Sequence, residues 1–156
     1  MNPEEKAKKL ARMNEAFMGL IPHNGALGLR FVDFGPAAAV VEMPWAPHLV
    51  GYPETLTVHG GAVSSLLDTT GGGAVFLRMK APVPIATLDM RVDYMKPAIA
   101  RQPIRARCEC YKLTSQVAFV RGIAFHEDED DPIASMAATY MLSTHGEQSV
   151  WGRGSR

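Results

Sequence analysis

This 156-residue sequence has no excess of either charge, few cysteines and no long hydrophobic run. Its 16 basic and 16 acidic side chains balance. Because nucleic-acid binders usually carry a basic excess, we expect no nucleic-acid partner. No apolar run approaches the roughly 18 residues that span a membrane, so we expect no membrane partner. The two cysteines, Cys108 and Cys110, are interpreted as small apolar strand residues, and this usage predicts a cytoplasmic location.

The sequence also lacks a cluster of metal ligands. No set of His, Cys and carboxylate residues has convincing metal-ligand spacing, so we expect no metal site. The histidines scattered over predicted loops and strand ends are assigned no role, and these are His23, His48, His126 and His145.

The apolar pattern predicts an α+β fold. An amphipathic helix is expected over Asn2–Leu20 and a long one from His59 to about Met79. Strands are expected at Leu27–Phe34, Ala37–Met43, Pro84–Met95, Ile104–Tyr111, Gln116–Phe125 and Ile133–Leu142. Because the strands are consecutive, we expect an antiparallel sheet of about six strands wrapped around one long central helix. The predicted units are an N-terminal helix at 1–20, a domain at 21–145 and a flexible tail at 146–156.

Two further patterns matter for the site. The proline-rich stretch from Trp45 to Leu56 is predicted to be a loop. The strand from Pro84 alternates, and this places Leu88, Met90 and Tyr94 on one face. The opposite, polar face is expected to hold Thr87, Asp89 and Arg91.

The long helix carries one carboxylate in an apolar middle. Asp68 follows Leu66 and Leu67, and a carboxylate there faces a desolvation cost unless it has partners or a task. Buried carboxylates are enriched at catalytic sites, so Asp68 is a candidate catalytic residue. The alternative is a structural carboxylate bonded to Ser64 or Ser65.

Two motifs resemble hotdog-fold acyl-CoA thioesterases of the phenylacetic-acid-pathway type. One is His59-Gly60-Gly61 followed by Asp68-Thr69, and the other is the strand from Thr87 that ends in Tyr94-Met95-Lys96-Pro97. The resemblance implies that Asp68 is nucleophile or general base. It also implies that the Gly60/Gly61 backbone binds the thioester oxygen and that the Thr87 hydroxyl helps to place water.

Other candidate site residues follow from the same resemblance and from the chemistry of the substrate. The family has Asn or Gln shortly before the histidine, whereas the loop here has none, so Tyr52, Glu54 or Thr55 is expected to substitute. Thr69 is expected to contact substrate. Lys96 and Lys112 are expected to contact the phosphates of coenzyme A, which is part of the substrate, so that no cofactor is needed. His59 either shapes the helix start or acts as a base.

Three glycines follow Asp68 in the helix, at Gly71, Gly72 and Gly73. Each costs about 1 kcal/mol relative to alanine in a helix, so the triplet needs a reason. Close packing against the sheet is one explanation, and room for an acyl group beside Asp68 is the other.

Helix geometry predicts an oligomer. Asp68 lies roughly 13 Å along the helix from His59, so one carbonyl cannot reach both. We therefore expect a homodimer with active sites at its interface, and the resemblance adds pairing into tetramers. The predicted activity is hydrolysis of acyl-CoA thioesters. The alternatives are a hotdog protein that binds acyl-CoA without hydrolysis and a hotdog dehydratase that uses His59.

Overall fold

The computed structural model describes residues 2–143. The helices are α1 (Pro3–Met13), α2 (Pro22–Ala26) and α3 (Gly60–Arg78). The strands are β1 (Arg30–Phe34), β2 (Ala38–Met43), β3 (Val50–Tyr52), β4 (Thr57–Val58), β5 (Ile85–Tyr94), β6 (Ile104–Leu113), β7 (Val117–Phe125) and β8 (Ala134–Leu142). The predicted tail at 146–156 lies outside the described residues, as does the end of the domain predicted to reach residue 145.

Within residues 2–143, six strands form one antiparallel sheet in the order β1-β2-β6-β7-β8-β5. Helix α3 packs across this sheet, chiefly over β6 and β2. Its residues Leu66, Leu67 and Val75 are fully buried at that contact. The predicted α+β fold, a sheet around one long central helix, is confirmed.

The stretch predicted as a loop from Trp45 to Leu56 contains more structure than expected. A 3₁₀ turn at Pro47–Leu49 leads into β3, which pairs with β4 in a small hairpin. Strands of three and two residues are too short to show alternation, so the apolar pattern does not reveal them. The hairpin lies so close to the start of α3 that a Cβ added at Gly51 would be 2.8 Å from the His59 Cα.

The N-terminal segment is one predicted helix but two kinds of helix in the structure. Asn2 caps α1 and forms a capping box with Glu5. After Met13 the chain becomes π-helical over Asn14–Gly19. The Asn14 side chain accepts from the Phe31 N–H at 2.7 Å and donates to the Phe31 carbonyl at 3.0 Å. These two bonds fasten the π-helical turn to edge strand β1.

A β-bulge at Leu88 changes which residues of β5 face α3. Thr87 pairs with Tyr140 and Asp89 with Thr139, so Leu88 is an extra residue and the alternation reverses there. Thr87 therefore shares the inner face with Met90 and Tyr94. The prediction that placed Thr87 on the outer, polar face with Asp89 and Arg91 is wrong, because strict alternation in the sequence does not reveal a bulge.

Of the three glycines of α3, Gly71 and Gly73 fit the explanation of close packing against the sheet, and Gly72 fits the explanation of open space beside Asp68. A Cβ added at Gly71 would lie 2.3 Å from the Tyr140 hydroxyl, and one at Gly73 would lie 2.7 Å from the Phe31 ring. Both glycines therefore permit close helix-to-sheet packing. A Cβ at Gly72 would make an ordinary 3.5 Å contact with Ile85, and Gly72 lines an open cleft.

This difference predicts a contrast between two alanine variants. Both Gly72→Ala and Gly73→Ala gain the same helix propensity. Only Gly73→Ala forces a methyl group into the Phe31 ring, so we expect it to be less stable than Gly72→Ala by about 1–3 kcal/mol. Chemical denaturation of the two variants measures the difference. Equal free energies of unfolding would contradict the packing explanation.

Candidate functional site

Asp68 has two hydroxyl groups directed at its carboxylate. Asp68 is half-buried near the middle of α3. Its Oδ1 accepts a hydrogen bond from the Thr87 hydroxyl at 2.8 Å. The Tyr140 hydroxyl lies 3.2 Å from the same oxygen and 3.0 Å from the Asp68 carbonyl. The alternative partners, Ser64 and Ser65, instead donate to the Gly60 and Gly61 carbonyls. The bulge in β5 is what brings Thr87 to this position.

Tyr140 is a site residue that the sequence analysis missed. It lies on the inner face of β8 and is 2% exposed. In the sequence it is one residue of a predicted strand, with no motif around it that indicates a role in a site. Burial, together with the nearby negative charge of Asp68, raises the pKa of the Tyr140 phenol well above its usual range. The phenol therefore stays protonated and serves as a hydrogen-bond donor at neutral pH.

The start of α3 offers one free backbone donor. His59 caps the helix, and its Nδ1 accepts from the Gly61 N–H at 2.9 Å. The Gly60 carbonyl accepts from the Tyr94 hydroxyl at 2.7 Å, so the Gly60–Gly61 peptide is held at both ends. The Gly60 N–H meets no acceptor among residues 2–143. Of the two predicted oxyanion donors, Gly60 is available in this structure and Gly61 is engaged with His59.

A cleft of about 540 Å³ opens beside Asp68. Its polar end is lined by His23, Asn24, Ser65, Asp68, Thr69, Thr87 and Tyr140. Its apolar end is lined by Phe17, Ile21, Gly72, Phe76, Pro84 and Ile85. Four of these residues, Phe17, Ile21, His23 and Asn24, come from the N-terminal segment. The helix predicted over Asn2–Leu20 contains Phe17, whereas Ile21, His23 and Asn24 follow it. Nothing in the sequence pattern indicated that either stretch takes part in the site.

Asn24 is the second residue that the sequence analysis missed. It is 3% exposed, and its Nδ2 donates to the Phe17 carbonyl at 2.9 Å. Its Oδ1 accepts from the Thr69 hydroxyl at 3.1 Å. Thr69, predicted to bind substrate, therefore joins α3 to α2 across the wall of the cleft. An asparagine in a loop-like Pro-His-Asn-Gly stretch reads as a turn residue, which is why it gave no signal.

The other predicted site residues fall into separate places. Lys96 lines a smaller cavity of about 300 Å³ at the start of α3, together with Gly60 and Tyr94, and forms an ion pair with Asp131. Tyr52 and Glu54 are exposed at the β3–β4 hairpin. Lys112 is exposed on β6 beside Phe119, on the sheet face away from α3, and does not line the cleft.

Residues 2–143 contain neither a cluster of metal ligands nor a membrane-spanning helix. No group of three His, Cys, Asp or Glu residues in this part of the chain is arranged to hold a metal ion. No helix among the same residues is long and apolar enough to cross a membrane.

The arrangement suits acyl chemistry. A carboxylate beside an apolar cleft can act as a base or a nucleophile toward a carbonyl group. A free N–H at a helix start can stabilise the negative charge that develops on the carbonyl oxygen. Asp68 is a carboxylate of this kind and the Gly60 N–H is a free donor of this kind, and the two lie about 12 Å apart on one helix.

Comparison with known proteins identifies related chains. A family model described as the thioesterase superfamily matches residues 57–133. The medium/long-chain acyl-CoA thioesterase YigI of Salmonella typhimurium is 30% identical over 151 residues, which cover 88% of this chain and 95% of that protein. A crystal structure of a Pseudomonas aeruginosa protein has a TM-score of 0.77 and 32% identity, covering 86% of this chain and 99% of that one.

The phenylacetic acid degradation protein PaaI of Thermus thermophilus is a further structural relative. Its structure has a TM-score of 0.68 and 26% identity, and the alignment covers 79% of this chain and 100% of that one.

The Asn24–Thr69 contact predicts a measurable coupling. Asn24→Ala leaves the Phe17 carbonyl and the Thr69 hydroxyl without their partner, so we expect a loss of about 1–3 kcal/mol of stability. In a double-mutant cycle, Asn24→Ala and Thr69→Val should couple by about 0.5–1.5 kcal/mol. Thr87→Val is the matched control, because Thr87 lines the same cleft but bonds to Asp68. If Asn24→Ala coupled no more strongly to Thr69→Val than to Thr87→Val, the result would contradict the Asn24–Thr69 contact.

Proposed function

This chain belongs to the thioesterase superfamily, and from that membership we propose that it hydrolyses acyl-CoA thioesters with Asp68 as the reacting carboxylate. The observation that carries the proposal is the position of Asp68. Thr87 and Tyr140 hold its carboxylate at the mouth of a cleft whose far end is apolar. The acyl-CoA thioesterases among its relatives support the substrate class.

The proposed reaction follows from these groups. Asp68 accepts a proton from water while the water oxygen bonds to the thioester carbonyl carbon, and the carbonyl oxygen becomes negatively charged. Collapse of this tetrahedral species breaks the carbon–sulfur bond, and the proton held by Asp68 passes to the departing thiolate. Free acid and coenzyme A are released, and Asp68 is again a carboxylate. Because the Thr87 hydroxyl donates its hydrogen bond to Asp68, its oxygen is left to accept a hydrogen bond from the attacking water. Direct attack by Asp68, followed by hydrolysis of the anhydride, uses the same groups, and no cofactor is required by either route.

The oxyanion donor in this proposal is the Gly60 N–H of a second subunit. Asp68 and Gly60 lie about 12 Å apart on one rigid helix, so one carbonyl oxygen and its carbon cannot engage both within a subunit. A homodimer solves this if the start of α3 in one subunit approaches Asp68 of the other. Pairing of such dimers into tetramers remains an expectation from the family resemblance.

Strand β5 supports this arrangement. It forms one edge of the described sheet, ten residues long, and an unpaired edge of that length invites pairing with another strand. Thr87 near its beginning bonds to Asp68, and Tyr94 at its end bonds to Gly60. Antiparallel pairing of two copies of β5 centred near Arg91 would place Thr87 of one subunit opposite Tyr94 of the other. Asp68 of one subunit would then face Gly60 of its partner.

Lys96 is the better placed of the two lysines for the phosphates of coenzyme A. Lys96 lines the same cavity as Gly60, where the coenzyme A part of the substrate would leave the site. Lys112 lies on the opposite face of the sheet. Tyr52 and Glu54 lie on the hairpin next to His59 and are proposed to flank the same entrance. The proposal includes a cytoplasmic location, which the two free buried thiols of Cys108 and Cys110 support.

Non-hydrolytic binding of acyl-CoA is the second candidate. The observation in its favour is that the Gly61 N–H donates to His59, which leaves one backbone donor at the helix start instead of two. A protein of this kind would bind acyl-CoA tightly without turnover.

Substitutions at Asp68 and Gly60 test the proposed reaction. Asp68→Asn removes the base and should lower kcat by about 10²–10⁴-fold. Gly60→Pro removes the free N–H, and proline is tolerated at this first helical position because His59 already has the extended backbone (ψ 134°) that precedes proline. Loss of one oxyanion donor should lower kcat by about 10²–10³-fold. Release of coenzyme A from a panel of acyl-CoAs, phenylacetyl to palmitoyl, measures both.

Gly60→Ala is the matched control for Gly60→Pro, since it keeps the N–H and adds a Cβ that meets the Tyr94 ring at 3.4 Å. We expect it to retain far more activity than the proline variant. Equal losses in the two variants would show that bulk, and not the N–H, matters. Binding of acyl-CoA by the native protein without any release of coenzyme A would favour the non-hydrolytic alternative.

A further inference from the structure

We propose that Phe17 and Phe76 close the far end of the cleft and thereby set the longest acyl chain that the enzyme hydrolyses efficiently. This inference rests on the proposed thioesterase function. It assigns a specificity role to the N-terminal segment, which carries Phe17 and contains none of the residues of the proposed reaction.

The helix positions that line the cleft define a straight path. Asp68, Gly72 and Phe76 are spaced four residues apart, so they lie above one another on one face of α3. All three line the cleft. The path from Asp68 to Phe76 is about 12 Å long. Gly72 keeps its middle open, because it has no side chain there.

Two aromatic rings close this path. Phe17 packs edge-to-face on Phe76 with ring centroids 5.0 Å apart. Phe17 also packs edge-to-face on Phe31, at 5.5 Å, and Phe31 belongs to the buried core. Phe17 and Phe76 themselves are half-buried. Their remaining exposed surface faces the cleft, where a bound apolar group would cover it.

Hydrogen bonds fix the position of Phe17. Asn14, three residues before it, bonds to both backbone groups of Phe31. Asn24 bonds to the Phe17 carbonyl itself. The π-helical turn is thus held against β1 on one side and α2 on the other. An aromatic wall held in this way acts as a fixed stop, because moving it would break three hydrogen bonds.

The chemistry of the lining identifies the occupant as a hydrocarbon chain. The polar groups of the cleft gather around Asp68, where the thioester would lie. Toward Phe76 the lining is apolar and includes Ile21 and Ile85. No ionisable side chain lines this end of the cleft within the described part of the chain. A saturated acyl chain of medium length would bury its apolar surface here at no cost to any polar group.

The test is a profile of kcat/KM against acyl length, from butyryl-CoA to palmitoyl-CoA. Phe17→Ala and Phe76→Ala should each open the far end and raise kcat/KM for the longest chains, relative to the native optimum, by about tenfold or more. Gly72→Val should act in the opposite direction, because its side chain would block the middle of the path. Phe17→Leu and Phe76→Leu serve as milder variants should an alanine variant fail to fold.

Phe34→Ala is the matched control. Phe34 is a buried phenylalanine that contacts the N-terminal segment, with the Lys9 Nζ lying 4.9 Å from the centre of its ring, but it does not line the cleft. We expect it to lower stability and to leave the optimum acyl length unchanged. The same shift in Phe34→Ala would mean that general loosening, and not the aromatic stop, changes the profile, and would overturn the inference.

The remaining outcomes separate this inference from the proposed function. Native protein that releases coenzyme A, with Phe17 and Phe76 variants that keep the native length profile, would overturn the acyl-length inference alone. Native protein that hydrolyses no acyl-CoA would overturn the proposed function and this inference with it.

Discussion

Strand β5 connects both halves of the candidate site through two hydrogen bonds. Near its beginning, Thr87 donates to the Asp68 carboxylate, and at its end Tyr94 donates to the Gly60 carbonyl. The two groups proposed to act on one thioester are therefore spaced along the same strand edge. In the proposed dimer, two β5 strands pair in antiparallel fashion, and this pairing brings Asp68 of one subunit close to Gly60 of the other. The separation of Asp68 and Gly60 along α3 is then a requirement of the proposed mechanism, because it means that the base and the oxyanion donor of one site come from different chains.

The bulge at Leu88 makes this connection possible. In a regular strand without a bulge, Thr87 and Tyr94 would point to opposite faces of the sheet, because they are an odd number of positions apart in the sequence. With it, both reach α3. The bulge also leaves Leu88 itself 55% exposed on an edge strand, next to the surface that the proposed dimer would cover. A local irregularity in one strand thus carries the geometry of the whole site.

The sequence predicted the fold and Asp68 because both produce strong local signals. A 19-residue helix with one carboxylate in its apolar middle and consecutive alternating strands are visible without coordinates. Tyr140 and Asn24 could not be found in this way, since each acquires its role from a contact across more than 40 residues of sequence. The orientation of Thr87 depended on a bulge, and the engagement of the Gly61 N–H depended on the rotamer of His59. Such features are set by tertiary packing and not by local pattern.

Subunit complementation tests the central claim, that Asp68 and Gly60 act on one thioester from different chains. Asp68→Asn and Gly60→Pro proteins, each inactive alone, would be unfolded together, refolded and assayed for release of coenzyme A. A mixed dimer contains one site with Asp68 from one chain and Gly60 from the other, so random mixing should restore roughly a quarter of the native activity. If the two groups act within one chain, every site in the mixture lacks one of them, and the mixture would stay as inactive as its components.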